Sequence, residues 1–254
     1  MKKDTILLLL ILIGFTVFGK DGNKKVTVAV AANMQYAMNA LKTKFEKETG
    51  IKVEVILGSS GKLTQQIQEG APFDIFISAD TKYPQTLWQG KFTTDTPKVY
   101  AKGVLVLWTV RNDLKPQANL QVLLADNVKK IAIANPKTAP YGLAAKEILK
   151  HYKLYDVLQK KLVYGESIAQ TNQFIMSQSA DIGFTAKSAV LSDEMRGKGS
   201  WVEIDHKAYN DIDQAAVLLK HGTETNKEAS EKFYTYLFSG EAKKIYTQFG
   251  YIVK

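Results

Sequence analysis

Gly58-Ser59-Ser60-Gly61-Lys62-Leu63 stands between an alternating apolar run, Ile51 to Leu57, and a helical run, Leu63 to Glu69. Small hydroxyl residues between glycines at a strand-to-helix junction suit an anion. The first N–H groups of a helix have no intrahelical partner, the helix dipole adds positive potential there, and a serine hydroxyl supplies a further donor. A single serine before a helix is an ordinary N-cap. Recurrence lifts this one above capping, because three more junctions of the same kind occur along the chain.

Upstream, Val26 to Ala31 reads as a buried strand, and Asn33 as the N-cap of a helix over 34–49 that carries Ala37, Leu41 and Phe45 on one face and stops at Gly50. Downstream, Phe73 to Ser78 is a third strand, and Ala79-Asp80 opens a helix through Trp88. This alternation calls for a mainly parallel sheet with helices outside, and such folds bind ligands beyond the carboxyl ends of their strands. The apolar run Tyr100 to Val110 leads to a second alternating unit. There Lys130 to Ala134 is followed by Asn135-Pro136-Lys137-Thr138-Ala139-Pro140-Tyr141-Gly142 and a helix to His151. Pro140 suits a first helical turn and is expected to leave the N–H groups of Tyr141 and Gly142 free. Leu162 to Ser167 then leads into a helix over 168–177, with Ser167 as its cap and the Ile168 N–H exposed.

The chain has 254 residues, 45% of them hydrophobic, enough to bury a full core, and no cysteine for a disulfide, a thiolate metal site or a nucleophile. The formal net charge of +9 comes almost wholly from lysine. The lysines are scattered without interleaved aromatics, which argues against nucleic acid, though they can draw anions from a distance. Lys2 and Lys3 precede the apolar run Ile6 to Phe18, a cleavable secretory signal peptide over residues 1–19 and too short for a membrane span. With no cysteine to carry lipid, the mature chain is expected free in the periplasm. His151, His206 and His221 all lie outside the junctions, and the serine turn is not the Gly-x-Ser-x-Gly elbow, so a secreted serine-dependent hydrolase is the weaker alternative. Arg111 and Arg196, the residues an organic carboxylate would want, also lie elsewhere. Lys62 reads as a solvated first-turn residue, and Asp74 and Asp80 as structural caps.

Four junctions, two in each half, thus present Asn33, Ser60, Tyr141 and Ile168 at their tips, with Ala32, Ser59 and Gly61 as possible further donors. The expectation is a cage of uncharged donors without a carboxylate. Phosphate carries a proton at neutral pH and gains from an acceptor, so fully deprotonated tetrahedral dianions such as sulfate, molybdate or tungstate fit better.

Val28-Ala29-Val30-Ala31-Ala32-Asn33, the serine turn, Gly70-Ala71-Pro72-Phe73-Asp74-Ile75-Phe76-Ile77-Ser78-Ala79-Asp80, and Asn135-Pro136 with Ala139-Pro140-Tyr141-Gly142 resemble the periplasmic molybdate-binding proteins of ABC importers. The resemblance runs through the whole mature chain. It implies a two-lobed α/β Venus-flytrap fold of the type II periplasmic-binding-protein superfamily, each lobe a mixed, mainly parallel sheet flanked by helices. Residues 20–102 and 217–254 would form the first lobe and 103–216 the second, with hinges near Lys102 to Leu105 and Val217 to Leu219. It further implies a monomer without catalytic residues or cofactor that hands molybdate or tungstate to a membrane permease. Molybdenum would be bound only as the oxyanion, with Asn33 and Ser60 donating from the first lobe and the backbone N–H groups of Tyr141 and Ile168 from the second. Two departures stand out. Ala32 lacks the hydroxyl that members often carry at or beside this place, and Ala186 lacks a tyrosine hydroxyl that some members place on the ligand.

Overall fold

The computed structural model describes residues 25–253; the signal peptide expected over 1–19 lies outside them. Among the described residues, ten strands form two five-stranded sheets. The strands are β1 (Lys25–Ala31), β2 (Lys52–Gly58), β3 (Ile75–Ile77), β4 (Lys98–Gly103), β5 (Leu105–Thr109), β6 (Ile131–Ala134), β7 (Leu162–Gly165), β8 (Ile182–Ala186), β9 (Ser200–Glu203) and β10 (Ile212–Leu218). The first sheet runs β2-β1-β3-β10-β4 and the second β7-β6-β8-β5-β9. In each, one strand opposes the other four: β10 is antiparallel to β3 and β4, and β5 to β8 and β9.

Burial follows from position. Central β1 has Val26, Val28, Ala29 and Val30 fully buried, because helices cover both faces. Edge strand β2 buries Val53 between exposed Lys52 and Glu54, but the alternation of its sequence does not persist to its end, where Ile56 and Leu57 are both exposed. The helix Gln35–Thr49 buries Ala37, Met38, Leu41 and Phe45 against the first sheet and ends on Gly50, whose φ of 71° is a left-handed cap that glycine adopts without strain. Leu105, Leu107, Ile131, Ile133 and Phe184 anchor the corresponding core of the second sheet.

The apolar run Tyr100 to Val110 is divided between the sheets, with β4 in the first, β5 in the second and Val104 between them. The return is not where the sequence placed it. All of β10 is paired within the first sheet, Val217 opposite Phe76 and Leu218 opposite Ile75, so the second crossover lies at 204–211 rather than at Val217 to Leu219. A run such as Ala215 to Leu219 reads as a buried strand in either sheet, and its pairing is a tertiary property.

Candidate anion-binding cleft

β1 and β2 are parallel neighbours whose ends, Ala31 and Gly58, lie side by side; β6 and β7 end in the same way at Ala134 and Gly165. Parallel pairing therefore brings two chain exits together at the top of each sheet. The exit from β1 is a 3-10 turn over Ala32–Met34; the other three lead into helices Ser60–Gln68, Pro140–His151 and Ile168–Met176. These four exits face one another across a narrow cleft lined by Ala31, Ala32, Asn33, Gly58, Ser59, Ser60, Ala79, Ala139, Pro140, Tyr141, Ser167 and Ile168. The four residues expected at the tips share this single cleft. None of its lining residues is charged. The cleft encloses only about 10 Å³, room for about one water-sized group and far too little for a sugar or an amino acid.

The donors differ in detail from the expectation. None of the four exits has a side-chain cap. An absent side-chain cap is common in this chain: among the described helices only those that begin after Asp205 and Ser239 have one, Ser239 accepting from the Ala242 N–H. Asn33 is not an N-cap: it lies inside the 3-10 turn, and its amide Nδ2 donates to Gln214 Oε1 at 2.8 Å and to the Tyr251 hydroxyl at 3.3 Å. Both amide hydrogens point away from the cleft, which leaves the backbone N–H as the group Asn33 offers. Ser60 Oγ accepts from the Ala79 N–H at 3.0 Å, so its own hydrogen is directed elsewhere. The N–H groups of Ser60, Tyr141 and Ile168 head their helices, where no intrahelical acceptor exists. Gly142, expected to be free, instead donates to the Ala139 carbonyl. Ser167, expected as a cap, makes no capping bond and lines the cleft. Sequence reasoning missed it as a donor because a serine at this place looks the same whether or not it caps.

Of the further donors, Ala32 borders the cleft, whereas Gly61 does not: its N–H donates to the Thr138 carbonyl at 2.9 Å. Ser59 lines the cleft, but its hydroxyl donates to Glu166 Oε1 at 2.9 Å. Glu166 corrects the expectation of turns without a carboxylate. It belongs to the fourth turn and sits at the rim, outside the lining. Ala186, fully buried at the end of β8 opposite Leu105, does not reach the cleft. Lys62 is exposed. Asp80 forms a turn, accepting from the Tyr83 N–H and the Ser78 hydroxyl, and burial raises its pKa; Asp74, expected as a cap, instead ties distant segments, accepting from the Thr27 N–H and the Asn226 amide. Neither serine of the turn has a histidine partner; His206 lies beside Glu203 and Tyr209, and His221 beside Asp74.

A buried polar network backs the cleft. Gln214, fully buried on β10, accepts from Asn33 Nδ2 and from the Tyr100 hydroxyl, both at 2.8 Å, and donates to the Tyr141 hydroxyl at 3.1 Å. Tyr251 and Ser188 hydroxyls donate to the Asn33 carbonyl at 2.8 and 2.7 Å. One amide thus joins an exit of the first sheet to an exit of the second. Burial raises the pKa of Tyr100, Tyr141 and Tyr251, with neighbouring tyrosines adding to the effect at Tyr100 and Tyr141, so these hydroxyls remain protonated donors. Gly103, the last residue of β4, has no room for a side chain: a Cβ there would collide with the Tyr141 hydroxyl.

The family of bacterial extracellular solute-binding proteins matches residues 26–252. The molybdate-binding protein ModA of Azotobacter vinelandii is 38% identical over 228 residues, 89% of either chain. That of Rhodobacter capsulatus is 36% identical, covering 91% of this chain and 89% of the relative. Among solved structures, the periplasmic molybdate-binding protein of Azotobacter vinelandii superposes with a TM-score of 0.85 at 33% identity, over 90% of this chain and 99% of that one.

Proposed function

We propose that this chain, which belongs to the molybdate-binding proteins among the bacterial extracellular solute-binding proteins, captures molybdate in the cleft between its two sheets and delivers it to the permease of an ABC importer. The observation that carries the reading is the convergence of four uncapped chain exits on one small cleft without a charged lining residue. Uncharged N–H and O–H donors, three of them at helix N-termini whose dipoles favour negative charge, replace the water around a dianion. The ligand set is the backbone N–H of Asn33, the N–H and hydroxyl of Ser60, the N–H groups of Tyr141 and Ile168, and the Ser167 hydroxyl. Tungstate, of the same charge and nearly the same size, is a second ligand.

Binding joins the two lobes. The anion bridges exits from both sheets, so it favours the closed arrangement by its extra contacts there, with bending at Val104 and at 204–211. The protein acts as a monomer in the periplasm, and closure over the anion is the signal that the permease reads.

A thermal-shift series tests the ligand. At about a thousandfold excess over its dissociation constant a ligand adds roughly 4 kcal/mol, or on the order of 10 °C in Tm for a chain of this size. Molybdate and tungstate should give shifts of this order, sulfate less and phosphate least. A largest shift with phosphate would overturn the reading.

A further inference from the structure

Three contacts cross the mouth of the cleft without involving the anion turns' free donors. Ser59 Oγ donates to Glu166 Oε1 at 2.9 Å, the Gly61 N–H to the Thr138 carbonyl at 2.9 Å, and the Tyr83 hydroxyl to the Lys137 carbonyl at 3.1 Å. The donors belong to the first lobe and the acceptors to the second. We infer that these contacts form a clasp whose bonds exist only when the lobes are closed, so that Gly61, Tyr83 and Glu166 are positioning residues that set affinity without touching the ligand. The inference rests on the oxyanion-capture reading above.

Topology places the clasp where closure moves atoms most. Ser59 follows β2 and Glu166 follows β7, the edge strands farthest from β4 and β10 in one sheet and from β5 and β9 in the other. Both crossovers run through those latter strands. A rotation about Val104 and 204–211 therefore separates Ser59 from Glu166 by more than it disturbs anything near Gln214. The 135–139 turn is shaped to be gripped: the Asn135 side chain accepts from the Lys137 N–H, and the Asn135 carbonyl from the N–H groups of Thr138 and Ala139. That leaves the Lys137 and Thr138 carbonyls outward, toward Tyr83 and Gly61. The approach also explains the second glycine of the serine turn. A Cβ on Gly61 would lie 2.7 Å from the Tyr83 hydroxyl and 3.0 Å from Thr138 Cα, so a side chain here holds the lobes apart.

Glu166 allows a test by sign. Removing a carboxylate beside an anion site should tighten binding if charge were its only influence. Loss of a clasp bond should weaken it. Calorimetric titration with molybdate is expected to show affinity about 3- to 10-fold weaker in Tyr83→Phe, the range for one neutral hydrogen bond, and about 10- to 100-fold weaker in Glu166→Ala, whose bond is to a charged group. Glu166→Gln keeps the acceptor and should not weaken binding. Glu166→Ala binding no more weakly than Glu166→Gln, or Tyr83→Phe matching the wild type, would overturn the clasp. If the wild type binds no oxyanion, the capture reading fails, and small-angle scattering of the ligand-free proteins then decides. A larger radius of gyration in the Glu166→Ala, Tyr83→Phe double variant than in the wild type supports the clasp, and equal radii overturn it.

Discussion

Ile168→Pro should weaken molybdate binding by about ten- to a hundredfold, whereas Ile168→Ala should bind nearly as the wild type does. Ile168 is the first residue of its helix, where a proline is tolerated because the missing N–H has no intrahelical acceptor to lose. The preceding Ser167 has φ −144° and ψ 174°, the extended conformation that a following proline requires. The substitution therefore removes one backbone donor and leaves the helix standing. A hydrogen bond to a charged group is worth about 1.5–3 kcal/mol, which sets the expected loss. Ile168 is also a buried core residue, so both variants give up packing and should lose similar amounts of Tm. Alanine keeps the N–H and so isolates it. Equal affinities for the two variants in calorimetry would show that this N–H does not hold the anion.

The same pair of variants marks how far the sequence could be read. Strand-to-helix alternation, the parallel sheets and the four exits were all legible, because each depends on local periodicity and on residues that start or stop helices. Which exits lie side by side in one sheet depends on parallel pairing of β1 with β2 and of β6 with β7, and adjacency in the alternation was enough to anticipate it. The use of each donor was not legible. Ser59 and Ser167 precede helices just as Ser239 does, yet only Ser239 caps; the other two turn to Glu166 and to the cleft. Asn33 has the composition of a cap and spends its amide on Gln214. Such choices are made by partners far away in sequence, and no window around the residue contains them. Gln214 itself left a faint signal, a polar residue directly before the apolar run Ala215 to Leu219. In a strand buried on both faces such a residue must find partners, and here it finds three.

Gln214→Leu should therefore be among the most costly single substitutions in the chain. The side chain is fully buried, and a bulge between Gln214 and Ala215 breaks the β10–β4 register beside it, a feature that re-aims side chains. Leucine fills nearly the same volume but strands the Asn33 amide, the Tyr100 hydroxyl and the Tyr141 hydroxyl among apolar neighbours. An unsatisfied buried polar group costs about 1–3 kcal/mol; Asn33 and Tyr100 keep weaker partners in Tyr251 and the Ser78 carbonyl, so a total of about 3–5 kcal/mol is expected. For a chain of this size that lowers Tm by roughly 10 °C. The deficit should not change between about pH 5 and pH 9. Asn and Gln amides do not titrate, and burial holds the phenols above their ordinary pKa, so they stay protonated throughout. Affinity should fall as well, because the exits carrying Asn33 and Tyr141 lose their common anchor. Tyr141→Phe removes one bond of the three, and combined with Gln214→Leu it should add little further loss, since both act on the same contact. Additive losses in that double-variant cycle would mean that Gln214 and Tyr141 are not coupled, and that the two lobes are joined at the cleft by the anion and its rim rather than through this amide.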